Sequence, residues 1–517
     1  MEKQLSYVLM LSLQEMTLRR VAVGLWNEPD ILVSIGNFRF RSAFYRDDQD
    51  EWCETVQCKV SDKISKLQLP ESLAKQMIRV LKPIGLQILR WKLYHEEYLR
   101  YPNEVFEYFD VPILEKLCWT GAGTVDYRKT AEELVRCDVV DIVKRYKLGC
   151  LYCLDRYIPE FWKELPQENK MYFYNEKDLS HFTQLKVLQF CWPYILKREE
   201  YKLDRMPGKP IGDSTTFQQR IFKCSAFVSN KTAVKYFFQK LSLEEREASL
   251  ISAANNALAS RNLPLNRPFR FSDENVSDVV LYLLSLMTPE QQIRIFSESP
   301  IDVLGCFLDW PWQDAFLDVA DAMWTWMQCS DLERRARNYN TLLDKMQKSI
   351  QYSDYYLPSL YQNFFLRSPS DFRKHFVDRE CCSGPFFTEL FNIRDTESIN
   401  LILRNVDAGD RVRLASSEDI FKHFYDFISR GCVHVVEMCL RETGLSKEDK
   451  KRLMEDFMVF LRRRYCGQIE WGAAKWRRFF EFLDETDASA QSKRSLDDEA
   501  LSEAKNLCCE KKENPTM

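Results

Sequence analysis

Two cysteines three positions apart, Cys150 and Cys153, form the motif in this sequence that most resembles a metal or redox site. Zinc would need a second ligand pair at fitting spacing, but His181 is the nearest downstream histidine, and no HxxxH or second CxxC follows. A redox pair is expected at a helix start after a strand, whereas this pair lies in an apolar helical pattern. We therefore predict reduced core thiols, with no metal and no cofactor bound.

Acid–base and nucleophilic chemistry has few candidate residues. The chain has only 5 histidines, and none stands in a recognisable Ser/His/Asp or Cys/His order. Acidic pairs such as Glu96 with Glu97 lie in charged runs, which favours a solvated surface role. No phosphate-binding glycine loop and no HExxH motif occurs. We predict a non-catalytic protein; the alternative is an unfamiliar enzyme whose N-terminal region holds Cys150, His181 or nearby carboxylates.

Aromatic residues are concentrated in the middle of the chain. Tryptophan is both a typical interface anchor and a typical filler between helices. We expect most of these rings to lie in the core and at least one to be exposed. The candidate partner-binding residues in this cluster are Trp310, Trp312, Trp324 and Trp326.

A basic run near the C-terminus is the second candidate binding surface. Arg462, Arg463 and Arg464 are consecutive, and Lys475, Arg477 and Arg478 follow. Such a face can meet an acidic partner or phosphate, although it also suits the polar outer side of a terminal repeat. We keep the three consecutive arginines as partner-binding candidates, with nucleic-acid binding through this face as the weaker alternative.

The composition indicates which kind of secondary structure positions these residues. Glycine is scarce, with 15 residues in 517, which favours helices joined by short links over glycine-rich nucleotide-binding folds. A single core stops growing at roughly 250–300 residues, so the chain forms several domains or one elongated array. The net charge of −4 demands neither nucleic acid nor membrane. The 17 cysteines do not resemble a secreted disulfide scaffold, and a cytoplasmic location is expected, with the nucleus as the alternative.

A weak repeat runs through the C-terminal two thirds of the chain. Each copy has apolar residues at offsets 0, 3, 4 and 7, then a capping residue at about +8, then acidic or amide residues. This spacing predicts a helix, a tight capped turn and a second helix. Stacked antiparallel pairs of this kind would form an elongated all-α solenoid of protein-binding type. The copies start at Val234, Val280, Ala322, Ile399 and Val436, and their capping residues are Ser242, Thr288, Ser330, Asp407 and Ser446.

One stretch, residues 417–442, resembles an ankyrin repeat. Asp419–Phe427 is similar to its first helix, and the glycine, short link and Val-rich helix of Ile428–Glu442 are similar to its second. The ankyrin Thr-Pro-Leu-His turn is absent, and the spacing of the copies exceeds the usual period of about 33 residues. The resemblance is to a divergent ankyrin-like α-solenoid, and it implies a scaffold or adaptor that binds other proteins on a concave face. It transfers no individual site residue.

The sequence predicts four regions. These are a helical N-terminal region at 1–201, a linker at 202–214 rich in Pro and Gly, the repeat array at 215–484 and a flexible polar tail at 485–517. Within the first region, Ser61–Ile88 predicts helices broken at Pro70 and Pro83. The alternation in Ile31–Tyr45 predicts a short hairpin.

Overall fold

A computed structural model gives the architecture of the protein. It describes residues 11–39, 51–100, 108–174, 187–204, 215–261, 273–328, 332–352, 358–378, 386–465, 467 and 469–484. The all-α prediction is confirmed: within these ranges the chain is helical and contains no strand, only one isolated bridge between Trp119 and Val125. The chain divides into two compact units, Met1–Tyr356 (unit 1) and Leu357–Met517 (unit 2).

Unit 1 consists of helices of very unequal length. A π-helical turn, Cys53–Gln57, leads into α3, and a 3₁₀ turn, Trp312–Ala315, leads into α18. The helices are α1 (Leu13–Trp26), α2 (Pro29–Asn37), α3 (Cys58–Lys66), α4 (Glu71–Leu99), α5 (Val111–Leu114), α6 (Tyr127–Arg136), α7 (Ile142–Leu151), α8 (Ile158–Glu164), α9 (Gln167–Phe173), α10 (Val187–Lys197), α11 (Glu200–Leu203), α12 (Phe217–Phe227), α13 (Lys231–Lys240), α14 (Leu243–Arg261), α15 (Asp273–Leu286), α16 (Pro289–Glu298), α17 (Pro300–Cys306), α18 (Phe316–Gln328) and α19 (Leu332–Tyr352).

The long helix α4 is the centre of the N-terminal core. Trp26, at the end of α1, is fully buried against it, stacks on Trp52 at 5.7 Å and donates from Nε1 to the carbonyl of Leu81 at 3.0 Å. The break predicted at Pro70 is confirmed, since α4 begins directly after it. The break predicted at Pro83 is wrong, because the helix continues through this residue to Leu99. Burial of the helix on several sides outweighs the proline penalty of about 3 kcal/mol.

The hairpin predicted for Ile31–Tyr45 is also wrong where the structure describes it. Residues up to Asn37 form helix α2, and residues 40–45 lie outside the described ranges. Pro29 occupies the first turn of α2, where its missing N–H breaks no hydrogen bond. Ile31, Leu32 and Ile35 face the core at helical spacing, so helical burial decides the conformation.

The tight links predicted between paired helices are present in the structure. Ser242 and Glu245 cap each other reciprocally between α13 and α14, and Thr288 and Gln291 do the same between α15 and α16. Asp407 occupies its predicted cap position, but its side chain makes no capping hydrogen bond, so that detail is wrong. Ser330 lies outside the described residues.

Unit 2 is built from shorter helices that contact one another at regular intervals. Helix α20 packs on α23, and α23 packs on α26; likewise α22 packs on α25, and α25 on α28. Ser446 caps α27 by accepting from the Asp449 N–H at 3.1 Å. The helices are α20 (Pro358–Arg367), α21 (Ser370–Asp378), α22 (Phe386–Asn392), α23 (Thr396–Asn405), α24 (Ala408–Ala415), α25 (Glu418–Ser429), α26 (Val433–Thr443), α27 (Lys447–Arg464) and α28 (Ala474–Asp484).

The predicted linker and tail lie mostly outside the described residues. Of the predicted linker 202–214, only 202–204 are described, where α11 ends, and the predicted tail 485–517 lies outside the described residues. Within the described ranges, every helix is too short or too polar to cross a bilayer.

Candidate functional site

The CxxC pair lies at the C-terminal end of α7. Cys150 is in the last turn of the helix and fully buried, while Cys153 follows the helix with a φ of 50° and is 4% exposed. The prediction of buried thiols is confirmed for both, whereas the placement of Cys153 within the helix is wrong. Burial raises the pKa of both thiols well above the usual cysteine value, which keeps them protonated. Among the described residues, no group of three His, Cys, Asp or Glu side chains could hold a metal ion.

A buried histidine lies close to this turn. His95 of α4 is 1% exposed and contacts the Trp91 carbonyl through Nδ1 at 2.7 Å and the Tyr152 hydroxyl through Nε2 at 2.6 Å. Burial lowers its pKa to about 3, so the imidazole is neutral at physiological pH. His181, the other histidine considered from the sequence, lies outside the described residues.

Tyr152 also lines a cleft of about 500 Å³ in unit 1, which we name the polar cleft. Its walls come from parts of unit 1 that are far apart in sequence. They include Gln87 from α4, Tyr127 at the start of α6, Asn230 before α13, Asp278 from α15 and Trp310. The Asn230 side chain accepts from the Ala233 N–H and donates to the Leu151 carbonyl, which ties α13 to the end of α7.

The charges of the polar cleft are almost balanced. Each of its three acidic side chains pairs with a basic one: Arg128 with Glu132 at 3.0 Å, Lys129 with Asp126 at 3.7 Å, and Lys231 with Asp278 at 3.1 Å. The fourth basic residue, Lys235, is exposed and has no carboxylate within ion-pair distance in the described structure. Its ammonium lies 5.2 Å from the centre of the Tyr282 ring. Partial desolvation and then the neighbouring Lys231 lower the pKa of Lys235.

Gln87 is the buried polar residue of the cleft wall. It is 3% exposed, it lies on the inner face of α4, and it lines the cleft. Buried amides are almost always paired with protein or water. A polar group of this kind at the wall of a cleft is therefore available to whatever enters it.

The predicted tryptophans divide between this cleft and the core. Trp310 lines the polar cleft and also a neighbouring cleft of about 200 Å³, where the Arg19 guanidinium lies 4.2 Å from its ring centre. Trp312 donates to Asp278 at 3.1 Å. Trp324 is 6% exposed and packs edge-on against Tyr339, as a core residue does. The side chain of Trp326 lies outside the described structure.

Unit 2 has a groove of about 570 Å³ between α27 and α28, which we name the C-terminal groove. Arg462 and Arg477 line it together with Trp471, which is 41% exposed. The Trp471 ring packs against Trp476 at 6.1 Å and against Phe480 at 6.4 Å. An exposed indole, held by two ring contacts, thus lies in a groove that Arg462, Arg477 and Glu481 also line.

The other basic residues of the C-terminal run have partners. Arg463 and Arg464 both lie near Glu418, at 2.6 and 3.6 Å, and Arg478 forms two hydrogen bonds with Glu437. Arg462 and Arg477 have no carboxylate partner in the described part of unit 2. Of the three predicted arginines, the structure thus brings only Arg462 into the groove.

Sequence reasoning missed Trp471, Gln87 and Lys235. For Trp471, a tryptophan beside Gly472, between the basic run Arg462–Arg464 and Lys475, was a usable signal of an exposed aromatic. Gln87 and Lys235 belong to no motif, and only the fold shows that both line the same cleft.

In comparisons with known proteins, the chain matches no protein-family model and has no significant match to a curated protein.

Proposed function

We propose that this chain is a non-catalytic adaptor whose C-terminal groove receives an acidic, partly apolar segment of a partner protein. The observation that carries the proposal is the exposed Trp471 in a groove whose two arginines, Arg462 and Arg477, outnumber its one carboxylate, Glu481. Tryptophan and arginine are the residues most enriched among energetically important interface positions. Guanidinium groups pair with carboxylates with two parallel hydrogen bonds, so a Glu- or Asp-bearing segment fits this groove.

The packing of unit 2 supports a divergent ankyrin-like α-solenoid. The helices α20, α23 and α26, each in contact with the next, begin at Pro358, Thr396 and Val433, a spacing close to that of the predicted repeats. Short capped links such as Ser446 would turn consecutive helices into antiparallel pairs. In such an array each layer covers the apolar face of its neighbour, and the exposed ends remain free for partners.

The chemistry-bearing residues of unit 1 also support a binding role. Cys150, Cys153 and His95 are buried in uncharged forms, which suits packing better than nucleophilic or acid–base work. Nucleic-acid binding through Arg462–Arg464 is less well supported, since Glu418 lies beside two of these three guanidinium groups.

A binding experiment with matched variants tests the proposal. The probes are a short fluorescent peptide of alternating Glu and Leu, its counterpart with Gln in place of Glu, and a short single-stranded RNA. We expect the Glu peptide to bind the full chain, and the R462A/R477A variant to lose about tenfold in affinity or more. The control R463A, on the same helix but directed to Glu418, should keep wild-type affinity.

Two results would contradict the adaptor proposal. One is equal affinity for the Glu and Gln peptides, or for the double variant and the control. The other is RNA binding that exceeds peptide binding and falls steeply with salt, which would move the assignment to nucleic acid.

A further inference from the structure

We propose that the polar cleft of unit 1 is a binding site for a small carboxylate-bearing molecule. This site lies in a different unit from the C-terminal groove and does not depend on the adaptor function. Its volume of about 500 Å³ matches the size of small-molecule pockets, which range over roughly 300–1,000 Å³. Its walls come from Gln87, Tyr152, Asn230, Asp278 and Trp310, so only the folded unit assembles it.

The charge of the cleft selects a ligand with one negative charge. Four basic and three acidic side chains line it, and every acid has a basic partner. One positive charge, that of Lys235, therefore remains for a ligand. A carboxylate neutralises it, whereas a phosphate dianion would carry excess negative charge past Asp126, Glu132 and Asp278.

Gln87 supplies the second polar contact. The residue is 3% exposed and lines the cleft. An amide N–H₂ group donates to a carboxylate oxygen, and the Lys235 ammonium supplies the opposite charge. A ligand without an acceptor for this amide forgoes a hydrogen bond inside the cleft.

Aromatic walls make room for the apolar part of the ligand. Trp310 and Tyr127 both line the cleft. Arg19 packs on the Trp310 ring at 4.2 Å, and the adjacent Trp312 donates to Asp278 at 3.1 Å, so this wall is held from two sides. A carboxylate attached to a flat or aliphatic group fits these surroundings better than a highly hydroxylated one.

Nuclear magnetic resonance of dimethylated lysines tests the proposal on the full chain. Reductive ¹³C-dimethylation keeps the lysine charge, and the Lys235 signal is identified by its absence in K235Q. The probes are acetate, succinate and phenylacetate, with phenylacetamide as the neutral counterpart of phenylacetate and inorganic phosphate as the competing anion. We expect a saturable shift of the Lys235 signal with at least one carboxylate and none with phenylacetamide.

Variants on both sides of the cleft complete the test, with binding read from saturation transfer to the probe. K235Q and Q87M should each weaken carboxylate binding by about tenfold. K240Q, at the exposed far end of α13, should leave it unchanged, as should R462A/R477A. If Q87M does not fold, K235Q and K240Q, both at exposed positions, still show whether the carboxylate binds beside Lys235.

Three outcomes would overturn the assignment. They are the absence of saturation with every carboxylate, equal binding of phenylacetamide and phenylacetate, and tighter binding of phosphate than of any carboxylate. Equal affinities of K235Q and K240Q would likewise remove the cleft as the site.

Discussion

His95 and Tyr152 form a 2.6 Å hydrogen bond whose direction follows from the surrounding atoms. The Trp91 carbonyl next to Nδ1 can only accept, so Nδ1 carries the proton and Nε2 accepts from the Tyr152 hydroxyl. Both partners are almost fully buried, and Tyr152 also lines the polar cleft. A neutral imidazole thus supports the wall of the candidate ligand site.

The depressed pKa of His95 predicts that unit 1 loses stability in mild acid. The folded-state pKa is about 3 and the ordinary value 6.5, so the unfolded chain takes up a proton that the folded chain does not. Stability is fully present above the ordinary value and falls as the pH drops through it. Between about pH 7.5 and pH 5 the loss should be about 2 kcal/mol. Hydrogen exchange of the α4 amides in this range measures it.

The control for this prediction is His95→Gln, which has no titrating ring. The variant will be less stable at neutral pH, but its stability should change less with pH than that of the wild type. Parallel pH profiles for the two proteins would show that His95 has the same pKa in the folded and the unfolded chain, which contradicts the prediction.

The ion pair between Lys92 and Glu96 on α4 predicts a strong asymmetry between single and double variants. The charged atoms are 2.6 Å apart, both side chains are 1% exposed, and the Phe109 N–H also donates to Glu96. Burial lowers the pKa of Lys92 and raises that of Glu96, so neither ion tolerates the loss of its partner. Lys92→Met should cost about 3–5 kcal/mol of unfolding free energy in denaturant titrations.

The double variant K92M/E96Q should recover most of this loss. Glutamine keeps an acceptor for the Phe109 N–H and carries no charge, so no isolated carboxylate stays in the core. If K92M alone were as stable as the wild type, Glu96 would have to be neutral in the folded protein.

Gly85 and Gly24 form a matched pair of helical glycines with opposite expectations. A Cβ atom on Gly85 would lie within van der Waals overlap of the Trp26 ring, whereas one on Gly24 would have no atom within 4 Å. Gly85→Ala should destabilise unit 1 by about 1–3 kcal/mol through overpacking. Gly24→Ala should stabilise helix α1 by about 0.5–1 kcal/mol. Denaturant titrations compare them, and equal effects would contradict the close approach of Trp26 to α4.

The burial of the CxxC pair predicts its reactivity. Cys150 and Cys153 are buried with raised pKa values, whereas Cys58 is exposed on α3. Iodoacetamide should therefore modify Cys58 in the native protein and reach the pair only after unfolding. Mass spectrometry of modified peptides measures the order. Rapid native modification of Cys153, or its protection by added zinc, would contradict a purely structural role.

The sequence was most informative where structure is determined locally. The capped turns at Ser242, Thr288 and Ser446 follow from a hydroxyl placed between two helical apolar patterns. Local rules failed at Pro83 and at Ile31–Asn37, where the chain is helical and largely buried. Near Pro83, Trp26 donates to the Leu81 carbonyl from a helix 55 positions earlier. Propensity is a weak prior wherever tertiary burial competes with it.

The candidate sites depended on pairings that no local pattern contains. Arg462 and Arg463 are neighbours on one helix, but only Arg463 pairs with Glu418. That carboxylate is 45 positions away in the sequence. In the same way, Gln87 and Asp278 share a cleft only after folding. Trp310 was predicted only together with Trp312, Trp324 and Trp326, and the sequence did not indicate which of the four lines a cleft.

Trp310 and Pro311 border two concavities of unit 1, the polar cleft and the smaller cleft beside Arg19. A ligand that displaced this shared wall would change the shape of both clefts at once. Any resulting coupling between two occupants would be reciprocal, each changing the affinity for the other by the same factor.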